Sequence, residues 1–258
     1  MDERTFKPIV KELLKNLGLM VIDIPPRQEV PTPDFEAIGD NDSYTIELKI
    51  KGDDPELIAQ ERKILLKGGI VSKSIPVGPR NTLGSIIRSG VQQMLEHDPV
   101  GNSFRVIWLH SAGQDSYLHF ERFRSTLFGS ETLFSLHASN IITCYYFHES
   151  AFYSWRDYLD GAILTYSNNC QLCINSLSPR VDDFRKSKLV VGMAGGLCDP
   201  QQLAEDDDDV MIADCDLTRK DSDQILSYLC AKYGFQHLQP IPMQQHTGKI
   251  LVQSDRDK

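Results

Sequence analysis

The stretch VPTPDFEAIGDNDSYTIELKIKG, from Val30 to Gly52, decides how the N-terminal part of this chain folds. Two short runs with strand-like alternation, DFEAI and YTIELKI, flank the turn-forming sequence GDND. Such a pattern is typical of a β-hairpin. Asp34 follows Pro33 in the first run, and Glu47 and Lys49 interrupt the apolar residues of the second. The question is why polar residues occupy these places.

Side chains alternate across a β-strand, so the second run has two different faces. Thr45, Glu47 and Lys49 share one face, and the apolar side chains share the other: Tyr44, Ile46, Leu48 and Ile50. A hairpin brings Asp34 alongside this strand. The sequence therefore predicts that two carboxylates and one ammonium meet at one edge of a sheet.

This combination suits metal-dependent hydrolysis of phosphodiester bonds. Asp and Glu supply the hard oxygen ligands that Mg²⁺ prefers, and such ions keep positions open for water and phosphate. A bound metal acidifies water, and a nearby lysine stabilises developing charge. Without a cation, Asp34 and Glu47 would repel each other and one would tend to protonate.

Each of these residues is also compatible with a purely structural role, without metal binding or catalysis. Glu47 and Lys49 are also compatible with a solvated strand face carrying a weak ion pair. Asp34 after Pro33 is compatible with turn initiation. Only the conjunction of the three residues favours a site.

The rest of the chain predicts alternating helices and strands. In the first half we predict helices at Thr5–Leu17, Glu56–Leu66 and Ser85–Asp98, strands at Leu19–Ile24 and Ser103–Ser111, and a Gly- and Pro-rich loop before Arg80. In the second half we predict a helix at 116–129, a strand at Asn140–His148, a helix or turn at 151–159, a hairpin across 160–177, a short strand inside Glu205–Asp216, a helix at Ser222–Phe235 and a frayed end beyond about Gln244. This order favours an α/β fold with a mixed sheet.

The sequence resembles the PD-(D/E)xK nuclease superfamily, which has the restriction-endonuclease-like fold. The matching residues are Pro33-Asp34 and Glu47-Leu48-Lys49 on the predicted hairpin. A helix and a strand precede this hairpin, and a helix and a strand follow it, as in that superfamily. The resemblance implies that Asp34 and Glu47 bind Mg²⁺ or Mn²⁺, with the Leu48 carbonyl as a third ligand. It makes Lys49 the catalytic base or stabiliser. It also suggests Glu12 as a further metal ligand and Gln92 or Gln93 as a substrate contact.

The resemblance covers about residues 1–111, and we expect 112–245 to extend the same sheet and helices within one α/β domain of 258 residues. It implies a nuclease acting on nucleic acid, DNA in preference to RNA, in a role such as bacterial defence, restriction or repair. Basic residues follow the motif and are candidates to line a cleft beside it: Arg62, Lys63, Lys67, Lys73, Arg80 and Arg88. Arg80 and Arg88 are the substrate-binding candidates, although surface solvation explains these residues equally well.

The composition limits these expectations. Hydrophobic residues make up 41% of the chain and charged residues 24%, which is ordinary for a globular protein. The net charge of −9 argues against nucleic-acid binding by bulk electrostatics. It favours somewhat a second hypothesis, a non-catalytic binding or assembly module that forms a homo-oligomer or binds a partner protein. The intact Asp34, Glu47 and Lys49 set favours the enzyme.

The remaining motifs are weaker. No apolar run approaches the roughly 20 residues that span a bilayer, and the N-terminus is unlike a signal peptide, so we expect no membrane association. Six scattered cysteines favour a reducing, cytoplasmic setting. Cys170 and Cys173 lack a second Cys/His pair, since His137, His148, Cys144 and Cys198 have no recognisable zinc spacing. We predict that Gly192–Pro200 is a flexible loop and that Asp206–Asp209 is a solvated loop, with a cation site or a DNA-mimicking surface as the alternatives for this acidic run. A later group of basic residues comprises Arg180, Arg185, Lys186 and Lys188.

Overall fold

The computed structural model describes residues 3–27, 31–78, 80–135, 140–241 and 246–252. The helices are α1 (Glu3–Asn16), α2 (Pro55–Leu66), α3 (Asn81–His97), α4 (Ser116–Phe128), α5 (Ala151–Ser154), α6 (Val181–Lys186), α7 (Lys188–Gly192), α8 (Pro200–Asp206) and α9 (Ser222–Tyr233). The strands are β1 (Met20–Asp23), β2 (Phe35–Ile38), β3 (Ser43–Lys51), β4 (Val71–Pro76), β5 (Phe104–Ser111), β6 (Glu131–Ser135), β7 (Asn140–Tyr145), β8 (Gly161–Tyr166), β9 (Asn169–Ile174), β10 (Leu197–Cys198), β11 (Val210–Ile212), β12 (Gln239–Pro240) and β13 (His246–Leu251).

A seven-stranded mixed sheet runs through the structure in the order β1-β2-β3-β5-β8-β9-β10. Strands β1, β2 and β3 are antiparallel neighbours, whereas β3, β5 and β8 run parallel. The predicted hairpins, β2–β3 and β8–β9, are both present. The expected α/β fold, with a mixed central sheet flanked by helices, is therefore confirmed.

Helices cover both faces of this sheet, and each face has its own hydrophobic core. On one face, Phe6, Val10 and Leu14 recur every four residues along α1 and form a buried stripe. They pack with the even-numbered side chains of β3 and with Trp108 of β5. On the other face, α3 and α4 pack over Ile107 and Leu109 of β5. Strands β3 and β5 are thus buried on both sides, as central parallel strands require.

Several helix ends follow directly from the local sequence. The carboxylate of Asp54 accepts a 2.9 Å hydrogen bond from the Glu56 amide, and Pro55 opens α2. Helix α4 ends at Gly129 and α9 ends at Gly234, both in the left-handed conformation that glycine adopts without strain. Helix α3 begins at Asn81, four residues before the predicted start at Ser85.

The second half of the chain only partly extends the central sheet. Strands β8, β9 and β10 do so, but β11, β7, β6 and β12 form a separate four-stranded sheet. That second sheet packs against α9 around Leu133, Ile142, Ile225 and Leu229. Strand β6 was not predicted, and β7 ends at Tyr145, short of the predicted His148.

The predictions of a loop before Arg80 and of a frayed end beyond about Gln244 were wrong, because the two segments pair with each other as β-strands. The segment after α2 contains β4, and the predicted frayed end contains β13, which pairs antiparallel with β4 along its whole length. The Glu61 carboxylate of α2 forms ion pairs with Lys73 of β4 at 2.7 Å and with Lys249 of β13 at 3.0 Å. These ion pairs connect both strands to the helix. Lys249 also contacts Asp115 at 2.7 Å. Neither pairing nor bridge has a local sequence signal.

The glycine-rich segment Gly192–Pro200 is also more ordered than a flexible loop. It contains a 3₁₀ turn at Ala194–Gly196 and strand β10, which pairs parallel with β9. The Asp199 carboxylate accepts from the Gln201 amide at 3.1 Å and caps α8. The acidic run Asp206–Asp209 is exposed, as predicted.

Within the described ranges, the cysteines take part in no metal-holding group. Cys170 and Cys173 lie three residues apart on β9, so they point to opposite faces of the sheet. Cys170 is exposed, and Cys173 is buried opposite Cys198 of β10. His148 contacts Glu131 at 2.7 Å, and His137 lies outside the described residues. Among the described residues, no helix has the length and apolarity needed to cross a bilayer.

A buried carboxylate joins the starts of β5 and β8. Asp160 is 1% exposed and accepts hydrogen bonds from the Arg105 amide at 2.8 Å and the Ser178 hydroxyl at 2.8 Å. It also forms an ion pair with Arg180, whose guanidinium donates to the Gly101 carbonyl at 2.7 Å. Removing this carboxylate would leave several buried donors without an acceptor.

We therefore predict that Asp160→Ala lowers the free energy of unfolding by about 3–5 kcal/mol, since breaking a buried ion pair leaves an uncompensated charge. Urea denaturation measures this effect. The matched control is Asp182→Ala, because the Asp182 side chain is 82% exposed. Among the described residues, its only ion pair is with Arg185 at 3.2 Å. The control is expected to change stability by less than about 1 kcal/mol. Equal effects of the two substitutions would contradict the structural role of Asp160.

Candidate active site

Strand β3 places the Glu47 carboxylate inside the protein. Glu47 is only 2% exposed, as is its neighbour Thr45 on the same face. Helix α3 approaches closely above it at Gly90, where an added Cβ would lie 3.2 Å from Glu47 Cγ and 2.8 Å from Ile107 Cδ1. The interpretation of this face as solvated surface is therefore wrong. A glycine at position 90 lets the helix pack directly on the acidic side chain.

Asp34 lies where the β2–β3 ladder ends. The last pair in this ladder is Phe35 with Ile46, so the edge of β3 is free of β2 beyond that point. Asp34 Oδ2 accepts a 2.8 Å hydrogen bond from the Leu48 amide on this edge. Its side chain is 8% exposed. Because this bond joins residues 14 apart in the chain, Asp34 is a tertiary contact of β3 and not a local turn initiator.

The main-chain carbonyl of Leu48 faces the same edge. In an extended strand, the N–H and C=O of one residue point to the same side. Since the Leu48 N–H points to Asp34, its carbonyl is directed to that side as well. The hairpin thus places two carboxylates and one carbonyl oxygen around the end of the β2–β3 ladder.

Lys49 is held over the Glu47 carboxylate. Its ammonium forms an ion pair with Glu47 Oε1 and donates a 2.7 Å hydrogen bond to Gln93 Oε1 of α3. The Lys49 side chain keeps 23% of its surface exposed. Of the two glutamines considered from sequence, Gln93 makes this contact, whereas Gln92 is exposed.

Burial makes Glu47 an unusual acid. Burial is the largest cause and the nearby Asp34 carboxylate the second; together, and against the opposing effect of Lys49, they raise the pKa of Glu47 to about 8. Glu47 Oε2 is buried and has no hydrogen-bond partner among the described residues. A buried carboxylate oxygen without a partner is costly. A cation at this oxygen would remove that cost.

Lys7 of α1 is a contact that sequence reasoning missed. Its ammonium lies 2.5 Å from Asp34 Oδ1 and 3.1 Å from Glu3 Oε1. Burial lowers the pKa of Lys7, but the Asp34 and Glu3 carboxylates outweigh this effect and raise the pKa above its usual value. The only sequence signal was the Glu3–Lys7 spacing of four residues on a helix.

The other predicted site residues are not brought to this place. Glu12 is exposed and lies five positions from Lys7, about 140° around α1. Arg88 and Gln92 are exposed and lie two positions on either side of Gly90, so they point away from Glu47. Arg80 is exposed at the start of α3. The candidate metal ligand Glu12 and the candidate substrate contacts are therefore separate from the Asp34, Glu47 and Lys49 group.

The donor set fits a hard divalent cation in part. Within the described ranges, no group of three or more His, Cys, Asp and Glu side chains is arranged to hold a metal ion. The site instead offers two carboxylates and the Leu48 carbonyl, all oxygen donors. Mg²⁺ is commonly bound through one or two carboxylates while water and phosphate complete its shell. The partnerless Glu47 Oε2 is the observation that best fits such an ion.

The raised pKa of Glu47 predicts how stability depends on pH. Between the ordinary pKa of 4.5 and about 8, the folded protein retains a proton that the unfolded chain has lost. Stability therefore falls as pH rises through this window, by at most about 1.4 kcal/mol per pH unit. Glu47→Gln has no such titration, so its stability relative to wild type is expected to increase from pH 5 to pH 8 and then level off.

Urea denaturation across this pH range tests the prediction, with Glu12→Gln as the exposed control. Because Glu12 is exposed on α1, the control removes a carboxylate and leaves the buried site intact. A difference between Glu47→Gln and wild type that stays constant from pH 5 to pH 8 would contradict the raised pKa of Glu47.

The comparisons with known proteins provide no independent assignment of this site. No protein-family model matches the chain, and neither the curated proteins nor the solved structures gave a match.

Proposed function

We propose that this chain is a metal-dependent nuclease that hydrolyses phosphodiester bonds in nucleic acid, DNA in preference to RNA, with Mg²⁺ or Mn²⁺. The observation that carries the proposal is the Glu47 carboxylate, buried beside Asp34 and Lys49 with one oxygen lacking a partner. Strongly perturbed acids of this kind are concentrated at functional sites.

The arrangement of elements supports the finer fold assignment. Helix α1, strand β1, the β2–β3 hairpin, helix α3 and the parallel strand β5 follow one another in the order expected for a restriction-endonuclease-like core in about residues 1–111. Helix α2 and strand β4 are inserted between the hairpin and α3. The motif residues lie on the hairpin, where the resemblance requires them.

Each residue of the site has a distinct role in the proposed reaction. A bound divalent ion would acidify a water molecule and neutralise charge on phosphorus. Asp34 and Glu47 would hold that ion, and the Leu48 amide fixes the orientation of the Asp34 carboxylate. Lys49, which donates a hydrogen bond to Gln93, would orient the attacking water or stabilise the pentacovalent phosphorane-like transition state.

The overall charge of −9 implies that substrate attraction is local. Many basic residues outside the site are already paired with carboxylates, including Lys73 with Glu61, Arg180 with Asp160, and Arg185 with Asp199. These lysines and arginines add little to long-range attraction of phosphate. The proposal therefore assigns most of the affinity for the scissile phosphate to the metal and the lysines beside it.

The competing hypothesis is a non-catalytic binding or assembly module. It explains the acidic surface but not the burial of the Glu47 carboxyl group beside Asp34. Burying a carboxylate beside another acid destabilises the fold. A glutamine or an apolar side chain would fill the same space without that cost. A protein without chemistry at this site gains nothing from the arrangement.

Cleavage assays test the proposal directly. With Mg²⁺ or Mn²⁺, the protein is expected to cleave plasmid or single-stranded DNA, and Asp34→Asn and Lys49→Met each reduce the rate at least about a hundredfold. Lys11 of α1 and Asp23 of β1 form a control ion pair, 2.6 Å apart, in which the Asp23 side chain is 62% exposed. Asp23→Asn and Lys11→Met are expected to retain wild-type cleavage.

Absence of cleavage of DNA and RNA by the wild type with either metal would favour the binding module. Equal loss of activity in the site variants and in the control pair would argue against the assigned roles of Asp34 and Lys49.

A further inference from the structure

We propose that Lys7 is a built-in counter-cation that a divalent metal ion must displace from Asp34, and that Glu3 receives its ammonium when it leaves. This inference rests on the proposed function, because it concerns how the same site changes between its metal-free and metal-bound states.

Both carboxylate oxygens of Asp34 already have a partner in the metal-free site. Oδ2 accepts from the Leu48 amide at 2.8 Å, and Oδ1 lies 2.5 Å from the Lys7 ammonium. The Leu48 amide belongs to a central strand and cannot move away. Lys7, in contrast, is 36% exposed at the end of a flexible side chain. A metal ion that binds Asp34 on the open side therefore competes with Lys7.

Glu3 supplies the second position for this lysine. Glu3 Oε1 lies 3.1 Å from the Lys7 ammonium, and its side chain is 48% exposed. The two residues lie four positions apart on α1, where side chains face each other. Phe6 and Val10 anchor the helix in the core, so its backbone stays in place while the ammonium moves. Lys7 can thus leave Asp34 without losing all ionic contact.

The exchange of Lys7 for a divalent ion at Asp34 would make the site more positive, which favours phosphate binding. In the metal-free protein, the Lys7 ammonium contacts Asp34 and the Lys49 ammonium contacts Glu47, so each of the two side chains already has one lysine beside it. A divalent ion adds two positive charges to this group. The site then carries excess positive charge where phosphate binds, and its attraction for phosphate depends on the metal.

Binding of Mn²⁺ alone, without nucleic acid, tests this inference. Titration calorimetry or the loss of the free Mn²⁺ signal in electron paramagnetic resonance gives the Kd at fixed pH and salt concentration. Lys7→Met removes the competitor and is expected to bind Mn²⁺ about tenfold more tightly than wild type. Lys7→Gln is expected to change the Kd in the same direction, which guards against a folding defect in one variant.

The matched control is Lys11→Met, one turn further along α1. Lys11 pairs with Asp23 at 2.6 Å and not with Asp34, so this variant loses the same charge without freeing the site. Its Kd for Mn²⁺ is expected to stay within about twofold of wild type. If wild type binds Mn²⁺ but Lys7→Met binds no more tightly, the role of Lys7 is overturned and the proposed function stands. If neither binds Mn²⁺, the proposed function fails as well.

Glu3 is tested by a double-mutant cycle. In wild type, Glu3→Gln is expected to weaken Mn²⁺ binding, because Lys7 loses its alternative acceptor and remains on Asp34. In the Lys7→Met background, the same substitution is expected to have little effect. Equal weakening in both backgrounds would show that Glu3 acts on the metal directly, which would overturn its role as acceptor for Lys7.

Discussion

The burial of one acidic side chain, Glu47, is the constraint on which the rest of this structure depends. Strand β3 is central and covered on both faces, so any polar side chain on it must be compensated inside the protein. Gly90 lets α3 close over the carboxylate, Lys49 supplies one counter-charge, and Asp34 lies near enough to oppose ionisation. One oxygen of Glu47 still lacks a partner among the described residues. The fold is thus built around a buried carboxyl group with one unsatisfied oxygen.

Charge is distributed differently at the site and over the rest of the molecule. Elsewhere, acids and bases are joined in structural pairs, such as Arg180 with Asp160 across the starts of β5 and β8. Beside Asp34 and Glu47 the partners are lysines, Lys7 and Lys49, with partly exposed side chains. Under the proposed function, partly exposed counter-cations of this kind would suit a site that binds a metal ion and then a phosphate. The acidic net charge of the chain is compatible with this arrangement, because the attraction is local.

Local sequence patterns predicted the elements that carry the site. The alternation of YTIELKI and the GDND turn identified the β2–β3 hairpin, and the four-residue apolar spacing identified α1. The same reasoning could not detect the β4–β13 pairing, because its residues are far apart in the chain and neither strand is strongly apolar. It also could not choose between Gln92 and Gln93, since one position on a helix changes the direction of a side chain by about 100°.

Side-chain position within an element was the main limit for the site as well. Sequence placed Asp34, Glu47 and Lys49 on the hairpin, but the burial of Glu47 depends on Gly90 of another element. Glu12 and Arg88 have suitable chemistry, but their side chains do not face the Asp34 and Glu47 carboxyl groups. Sequence patterns did not identify Lys7, which contacts Asp34, or Glu3, which contacts Lys7. Contacts between elements, and not residue type, decided which residues belong together.

The most direct measurement is a diffraction experiment on crystals grown or soaked with Mn²⁺, using its anomalous signal. The central claim is that Asp34 and Glu47 jointly hold a divalent ion at the end of the β2–β3 ladder. It predicts an anomalous peak within about 2.5 Å of a carboxylate oxygen of both residues, with the Leu48 carbonyl facing it. A peak elsewhere, or no peak at a concentration of Mn²⁺ that saturates ordinary carboxylate sites, would contradict it.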